Sequence, residues 1–400
     1  MAVHNNQSVL ICDVGGTNVR FGIYQDNQPE PVTFNGKYKC AYFPYFEAAL
    51  AQYRHDAKLD VLPAFCLIGA AGDIDEQRGI VLATNTPWHT DISKVQQTFP
   101  SIKKIKLVND FALQGWALTG LQSTQYHPLF DSHNTPDLKR GKVVLIGPGT
   151  GLGSCLIMPS DHQGQNVYTS EAGHNTIPYV VFPKPEDQLM NKEMLQIITQ
   201  HYQAKGQQAV TEHLVSGTGL SNIFHALRDK QIPTEAKQRV PAEQIEMAAQ
   251  HGDPIALKTF DFFNAYLGAH AGSMVATTKT DTLFFCGGVM ASPWVRKNLE
   301  ATSYFQDQFI PRSGLTQAMK RVKIYVSNYR DMSTLGAKVF AQNMLKEHKN
   351  QQMQTQNEQT MLHFLYYLQT FVDAHCPSVK TQMKDVVSAV QTFHNKQNSK

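Results

Sequence analysis

Two glycine-rich turns and a few carboxylates are the residues of this chain with chemistry to offer. Asp13-Val14-Gly15-Gly16-Thr17-Asn18 lies between two apolar runs. Adjacent glycines permit a tight turn whose backbone can approach a ligand with no Cβ in the way. Thr17 and Asn18 add side-chain donors, and Asp13 sets a carboxylate at a strand end, where a hydrated metal could sit. An ordinary hairpin would carry the same residues. Gly147-Pro148-Gly149-Thr150-Gly151-Leu152-Gly153 is the second turn. It fits neither G-x-x-x-x-G-K-[ST] nor G-x-G-x-x-G. Four glycines in seven residues after an apolar strand can still form a backbone nest for an anion. Two such turns, each opening a similar stretch of chain, point to phosphate.

The carboxylates fall between and after these turns. Asp110 follows Asn109 at the end of the apolar run Ile105 to Val108. Aspartate at such a junction is commonly a helix N-cap. The cleft-side strand ends of an α/β sheet are also where ligands bind, so a dual role is open to Asp110. Glu171-Ala172-Gly173-His174 and Glu212 follow the second glycine turn. Each alone would be surface or satisfied core. Together they suit a polyhydroxylated ligand, because a site that pairs its substrate's hydroxyls gains strong selectivity.

The elements that must position these groups alternate. The patterning predicts strands over 8–13 and 19–24, with a third near Pro31 to Phe34. It predicts a helix over 45–57 and strands over 64–68 and 80–83. A short helix starts at Asp91, a strand covers 105–108, and a helix starts at Asn109-Asp110. The order then repeats: a strand over 143–146, the glycine turn, a strand over 154–158, and helical stretches that include 217–228. A long helix starts at Asp253-Pro254, an N-cap followed by proline at the first helical position. Its expected apolar face is Leu257, Phe260, Phe263, Leu267, Ala271 and Met274. A strand over 282–286, a Gly287-Gly288 turn, a strand over 322–326 and a helix over 331–345 complete the repeat. Gln351, Gln352, Gln354, Gln356 and Gln359 make 349–360 a polar, linker-like stretch. The apolar positions of 361–372, and Met383, Val386, Val387, Val390 and Phe393, predict two short helices that need a surface to cover them, their own chain or a second copy.

Four hundred residues, 42% of them hydrophobic, exceed one compact core and exclude disorder. A formal net charge of +3 carries no electrostatic footprint for nucleic acid. The longest early apolar run, Val9 to Cys12, is too short for a signal peptide or membrane span, so the cytoplasm is the expected location. Six scattered cysteines without a C-x-x-C pair read as free thiols in a reducing compartment.

The motifs resemble, in order and spacing across about 8–345, those of the bacterial glucokinases within the actin–hexokinase–heat-shock ATPase superfamily. Asp13 to Asn18 is similar to that family's first phosphate motif, and Leu107-Val108-Asn109-Asp110-Phe111 to its catalytic segment. Gly147 to Gly153 is similar to the second phosphate motif, and Glu171 to His174 to the sugar signature. Leu283 to Val289 is similar to the adenosine motif. The resemblance implies an α/β fold of two ribonuclease-H-like lobes, duplicated strand–turn–strand units around a cleft. The first lobe would be 1–118 with 322–345 and the second 119–321, and 346–400 would be a polar linker with a helical extension. It implies transfer of the γ-phosphoryl group of ATP to the 6-hydroxyl of glucose or a related hexose, with Asp110 as base. Asn109, Glu171, His174 and Glu212 would hold the sugar. Asp13 would orient hydrated Mg²⁺, and Gly15, Gly16, Thr17, Asn18, Gly149, Thr150 and Gly151 would cradle phosphates. Gly287 and Gly288 would approach the adenosine, and a homodimer is implied as well. The Gly69-Ala70-Ala71-Gly72-Asp73 loop lacks the family's usual proline. Asn175 to Phe182 lacks the zinc-binding cysteines of the repressor–kinase (ROK) branch. Two rival readings keep the fold: a non-catalytic sugar sensor or partner-binding protein, and an ATPase of the chaperone or actin type that acts on water.

Overall fold

Val9, Leu10, Ile11 and Cys12 are all buried, as a strand covered on both faces must be. In the computed structural model this run belongs to β1 (Ser8–Val14). The structure describes residues 7–375 apart from 27–33, 71, 76, 83–87, 131–134, 139, 161–163, 311–312 and 330, together with 381 and 383–389. β1 turns into the antiparallel β2 (Asn18–Gln25), which pairs with β3 (Phe34–Lys39). Helix α1 (Phe46–Asp56) leads to β4 (Phe65–Ala70), parallel to β1. β5 (Asp73–Asp75), β6 (Ile80–Leu82) and β7 (Thr90–Asp91) form a small sheet of their own. Asp91 then caps α2 (Ile92–Thr98) by accepting the Ser93 N–H. β8 (Lys104–Asn109) completes the sheet order β3-β2-β1-β4-β8, and α3 (Asp110–Leu118) leaves its end.

The second half repeats this plan. After β9 (Tyr126–Leu129), β10 (Val143–Pro148) and β11 (Leu152–Ser160) form a hairpin around the second glycine turn, and β12 (Gly164–Ser170) adds to it. Helices α4 (Pro185–Gln203), α5 (Gly217–Arg228), α6 (Ala242–Gln250) and α7 (Pro254–Thr278) precede β13 (Thr282–Phe285). Helices α8 (Gly287–Ala291), α9 (Pro293–Ala301), α10 (Tyr304–Phe309) and α11 (Thr316–Met319) precede β14 (Lys323–Ser327). The sheet order is β12-β11-β10-β13-β14-β9. Apart from β9, both sheets are three antiparallel strands followed by two parallel ones. That is the duplicated ribonuclease-H-like unit.

Alternation along β1 divides the first core. Leu10 and Cys12 pack with Phe46, Leu50 and Tyr53 of α1. Val9 and Ile11 pack on the other face with Leu113 of α3 and with Ala337, Ala341, Met344 and Leu345. Those last four belong to α12 (Met332–His375), a single helix of 44 residues, about 66 Å long at 1.5 Å per residue. It lies on α3 so closely that a Cβ at Gly336 would overlap the Leu113 carbonyl oxygen.

Several elements depart from the sequence expectations. Residues 349–360 are not a linker but the middle of α12. Glutamine, methionine, lysine and glutamate are good helix formers, and no glycine or proline stands between Gly336 and Pro377. β14 pairs with β13 in the second sheet, so 322–327 does not share the first lobe with α12. The Gly287-Gly288 turn is the first turn of α8. In α7, Leu257 is exposed while Phe262 and Tyr266 are fully buried. A helix enclosed on several sides has no single apolar stripe. The third strand lies over 34–39, and residues 31–33 are outside the described part. Five cysteines are free and buried; Cys376, Val390 and Phe393 fall outside it as well.

Candidate active site

The end of β8 fixes the central carboxylate. Asn109 is the N-cap of α3, its Oδ1 accepting the N–H of Phe111 at 2.8 Å and of Ala112 at 3.3 Å. Asp110 is thereby released from the capping role that sequence reasoning allowed it. It stands half-buried at the first helical position, on the wall of a cleft of about 1150 Å³. Burial raises its pKa above the ordinary aspartate value, and the negative charges of Asp13 and Glu171 push the same way. The N–H groups of Phe111 and of Asp110 itself oppose the rise. A carboxylate kept more basic than usual in a cleft is a candidate proton acceptor.

The cleft brings together most of the residues singled out in the sequence. Asn109, Asp110, Glu171, His174 and Glu212 line it, as do Gly149, Thr150, Gly151, Gly287 and Gly288. Glu171 and His174 are exposed at its mouth, with His174 Nε2 3.8 Å from Glu171 Oε2. Glu212 sits in a 3-10 turn, Thr211–His213. Thr211 pins that turn to the residue that follows Glu171–His174, its N–H and its hydroxyl both reaching the Asn175 carbonyl. The neighbouring His213 stacks on Tyr202 and accepts the Val210 N–H at Nδ1. Burial, helped by nearby positive groups, depresses its pKa to about 4, so it is neutral.

The first turn stands apart. Asp13, Gly15, Gly16, Thr17 and Asn18 are not among the residues lining the cleft. They emerge at the same end of the strands: Val14 pairs with Ala70 and Ala70 with Asn109. That puts them two strand spacings from Asp110, about 10 Å. Asp13 is ion-paired with Arg20 across the hairpin, and Arg20 Nε donates to its Oδ2.

The glycines of the second turn serve a different purpose from the one their number suggests. A Cβ at Gly147 or Gly153 would run into the Phe111 ring, and one at Gly151 would stand 2.6 Å from Glu212 Oε2. Three of the four therefore admit side chains of the site itself, and only Gly149 has open space around it. Sequence reasoning also missed Glu243 and Glu246, which line both the cleft and an adjoining pocket of about 800 Å³ with Thr150 and Gly288. Their i, i+3 spacing on α6, whose buried residues are Ile245 and Ala249, was the available signal.

The glucokinase family model matches residues 10–344. The chain belongs to the glucokinase family. It is 28% identical over 344 residues to a glucokinase of Stenotrophomonas maltophilia, covering 84% of this chain and 96% of that one. It is 26% identical over 341 residues to a glucokinase-like protein of Xylella fastidiosa, covering 83% and 94%. Its fold is similar to that of Balamuthia mandrillaris glucokinase solved with glucose, with a TM-score of 0.67 and 17% identity over 84% of this chain and 93% of that one. A ROK family glucokinase of Streptomyces griseus, solved with glucose and AMPPNP, is a more distant likeness. Its TM-score is 0.51 at 19% identity, over 84% and 99%. The glucokinase match ends within α12, so the outer part of that helix lies beyond it.

Proposed function

We propose that this member of the glucokinase family transfers the γ-phosphoryl group of ATP to the 6-hydroxyl of glucose, the entry reaction of glycolysis, in the cytoplasm. The observation that carries the reading is Asp110: a basic carboxylate, relieved of capping by Asn109, in one cleft with the second glycine turn and with Glu171, His174 and Glu212. Asp110 takes the proton of the 6-hydroxyl as its oxygen forms a bond to the γ-phosphorus, and the bond to the ADP oxygen breaks. Glu171, His174 and Glu212 hold other hydroxyls. Asn109 contributes through its Nδ2, since its Oδ1 is committed to the helix cap. Gly149, Thr150 and Gly151 face the phosphates, and Gly287 and Gly288 face the adenosine. The protein's part in phosphoryl transfer is chiefly positioning and charge stabilisation, which matches this division of labour.

Mg²⁺ would neutralise charge developing on the phosphate oxygens. Asp13 fits as a water-mediated orienter only: its carboxylate is already paired with Arg20. No group of three acidic, histidine or cysteine side chains among the described residues could hold the ion. Its direct ligands would then be water and the nucleotide phosphates. Free thiols at five buried cysteines support the cytoplasmic assignment. No helix among the described residues is long and apolar enough to cross a membrane.

The test is glucose-dependent ADP release by the purified chain with ATP and Mg²⁺. Asp110→Asn is expected to lower turnover by about two to four decades. Near-normal turnover in that variant removes Asp110 from the mechanism. Glucose binding without ADP release replaces the kinase by a sugar sensor, and ADP release indifferent to sugar replaces it by a plain ATPase.

A further inference from the structure

Glu212 does more in this structure than face the cleft. Its Oε2 accepts the N–H of Leu152, the residue that ends the second glycine turn, at 2.9 Å. The approach requires Gly151 to lack a side chain. Two more bonds run from the same short segment to the same turn. Gly217 N–H donates to the Gly149 carbonyl at 2.7 Å, and Thr218 Oγ1 donates to the Thr150 carbonyl at 2.9 Å. Within the segment, Ser216, fully buried, donates to the Glu212 carbonyl at 2.7 Å and caps α5 by accepting the Gly219 N–H. At its other end Thr211 is tied to Asn175 and Thr176, directly after Glu171 to His174.

We propose that the segment Glu212–Thr218 is a strut that couples sugar binding to nucleotide binding, with Glu212 as the shared group. The inference rests on the kinase reading above. One carboxylate oxygen holds the phosphate turn in shape, and the other, Oε1, is the one that can take a sugar hydroxyl. Whichever ligand arrives first fixes the Glu212 rotamer and orders the segment. The second ligand then meets a part of the site whose ordering has already been met. The coupling must be reciprocal, because both ligands act on one equilibrium.

Calorimetric titration with glucose and with Mg²⁺–AMPPNP tests this without turnover. AMPPNP is expected to tighten glucose binding by about fivefold or more in the unaltered chain, and glucose to tighten AMPPNP binding by the same factor. Thr218→Val should cut the factor to below about twofold, and Thr218→Ser, which keeps the hydroxyl, should restore it. Glu212→Gln removes charge but keeps an acceptor for the Leu152 N–H, whereas Glu212→Leu removes both. With no sugar present, the leucine variant should bind AMPPNP several-fold more weakly than the glutamine variant. Equal AMPPNP binding by those two variants, or an undiminished coupling factor in Thr218→Val, overturns the strut and leaves the kinase reading standing. An unaltered chain that fails to phosphorylate glucose overturns both.

Discussion

At the scale of single residues, Asp110 is where geometry and electrostatics meet. Its folded pKa is raised, so protonation is favoured by folding and ionisation costs stability. The stabilisation attached to the protonated form is full below the ordinary aspartate value and is lost as pH rises through the raised value. Two outcomes follow from that sign. The acid limb of kcat/KM for glucose should fall at a pH above the ordinary aspartate range, since only ionised Asp110 can accept the proton. Asp110→Asn should melt at a higher temperature than the unaltered chain at neutral pH, and the gap should close as the pH is lowered through the carboxylate range. Thermal melts between pH 3 and 8 decide this; an aspartate that contributes stability at pH 7 would reverse the sign. Asp110 was legible in the sequence as a residue at a strand end. Its freedom was not, because Asn and Asp cap helices about equally well and only the placed side chains reveal which one does so.

At the scale of elements, the meeting of α3 with the β10–β11 hairpin is the joint that aims the site. Phe111 wedges between Gly147 and Gly153, so the first turn of α3 and the second glycine turn are fixed against each other by one ring. Gly153→Ala should displace that ring, cost about 1–3 kcal/mol as an overpacked core does, and lower kcat more than it raises the KM for glucose. Pairing it with Phe111→Leu should recover part of the stability, which denaturant titration of the single and double variants can measure. A glycine variant as stable as its parent would show that the ring is not held there. Strand and helix order came through from the sequence because β1, β4, β8, β10 and β13 are short apolar runs bounded by turn residues. The turn's glycines were visible but their reason was not: a partner such as Phe111, 36 residues before Gly147, leaves no mark in local pattern. The polar run in α12 misled for the opposite reason. Glutamine-rich composition suggests a linker, yet an unbroken series of helix formers continues a helix that has already nucleated.

At the scale of the whole molecule, folding encloses groups that acid will attack. His270 on α7 is buried, its Nε2 has no hydrogen-bond partner, and burial lowers its pKa to about 4. A base depressed in this way contributes stability that is full above about pH 6.5, its unfolded value, and is lost as pH falls toward 4. His213 titrates in the same direction. Unfolding free energy should therefore decline between about pH 6.5 and pH 4, and His270→Leu should flatten part of that decline. An unchanged slope in the variant would assign the acid sensitivity elsewhere. The same scale shows what α12 can do. Its inner turns are clamped over α3, and His348 and Lys349 reach Phe65 and Asp26; beyond them Met353, Met361, Phe364, Tyr366, Tyr367 and Phe371 stand exposed. The helix is a cantilever: load applied to its outer end would bear first on the His348 and Lys349 contacts and pass along the clamped turns to the Gly336–Leu113 crossing. That crossing lies one helical turn from Asp110, the carboxylate proposed as the base.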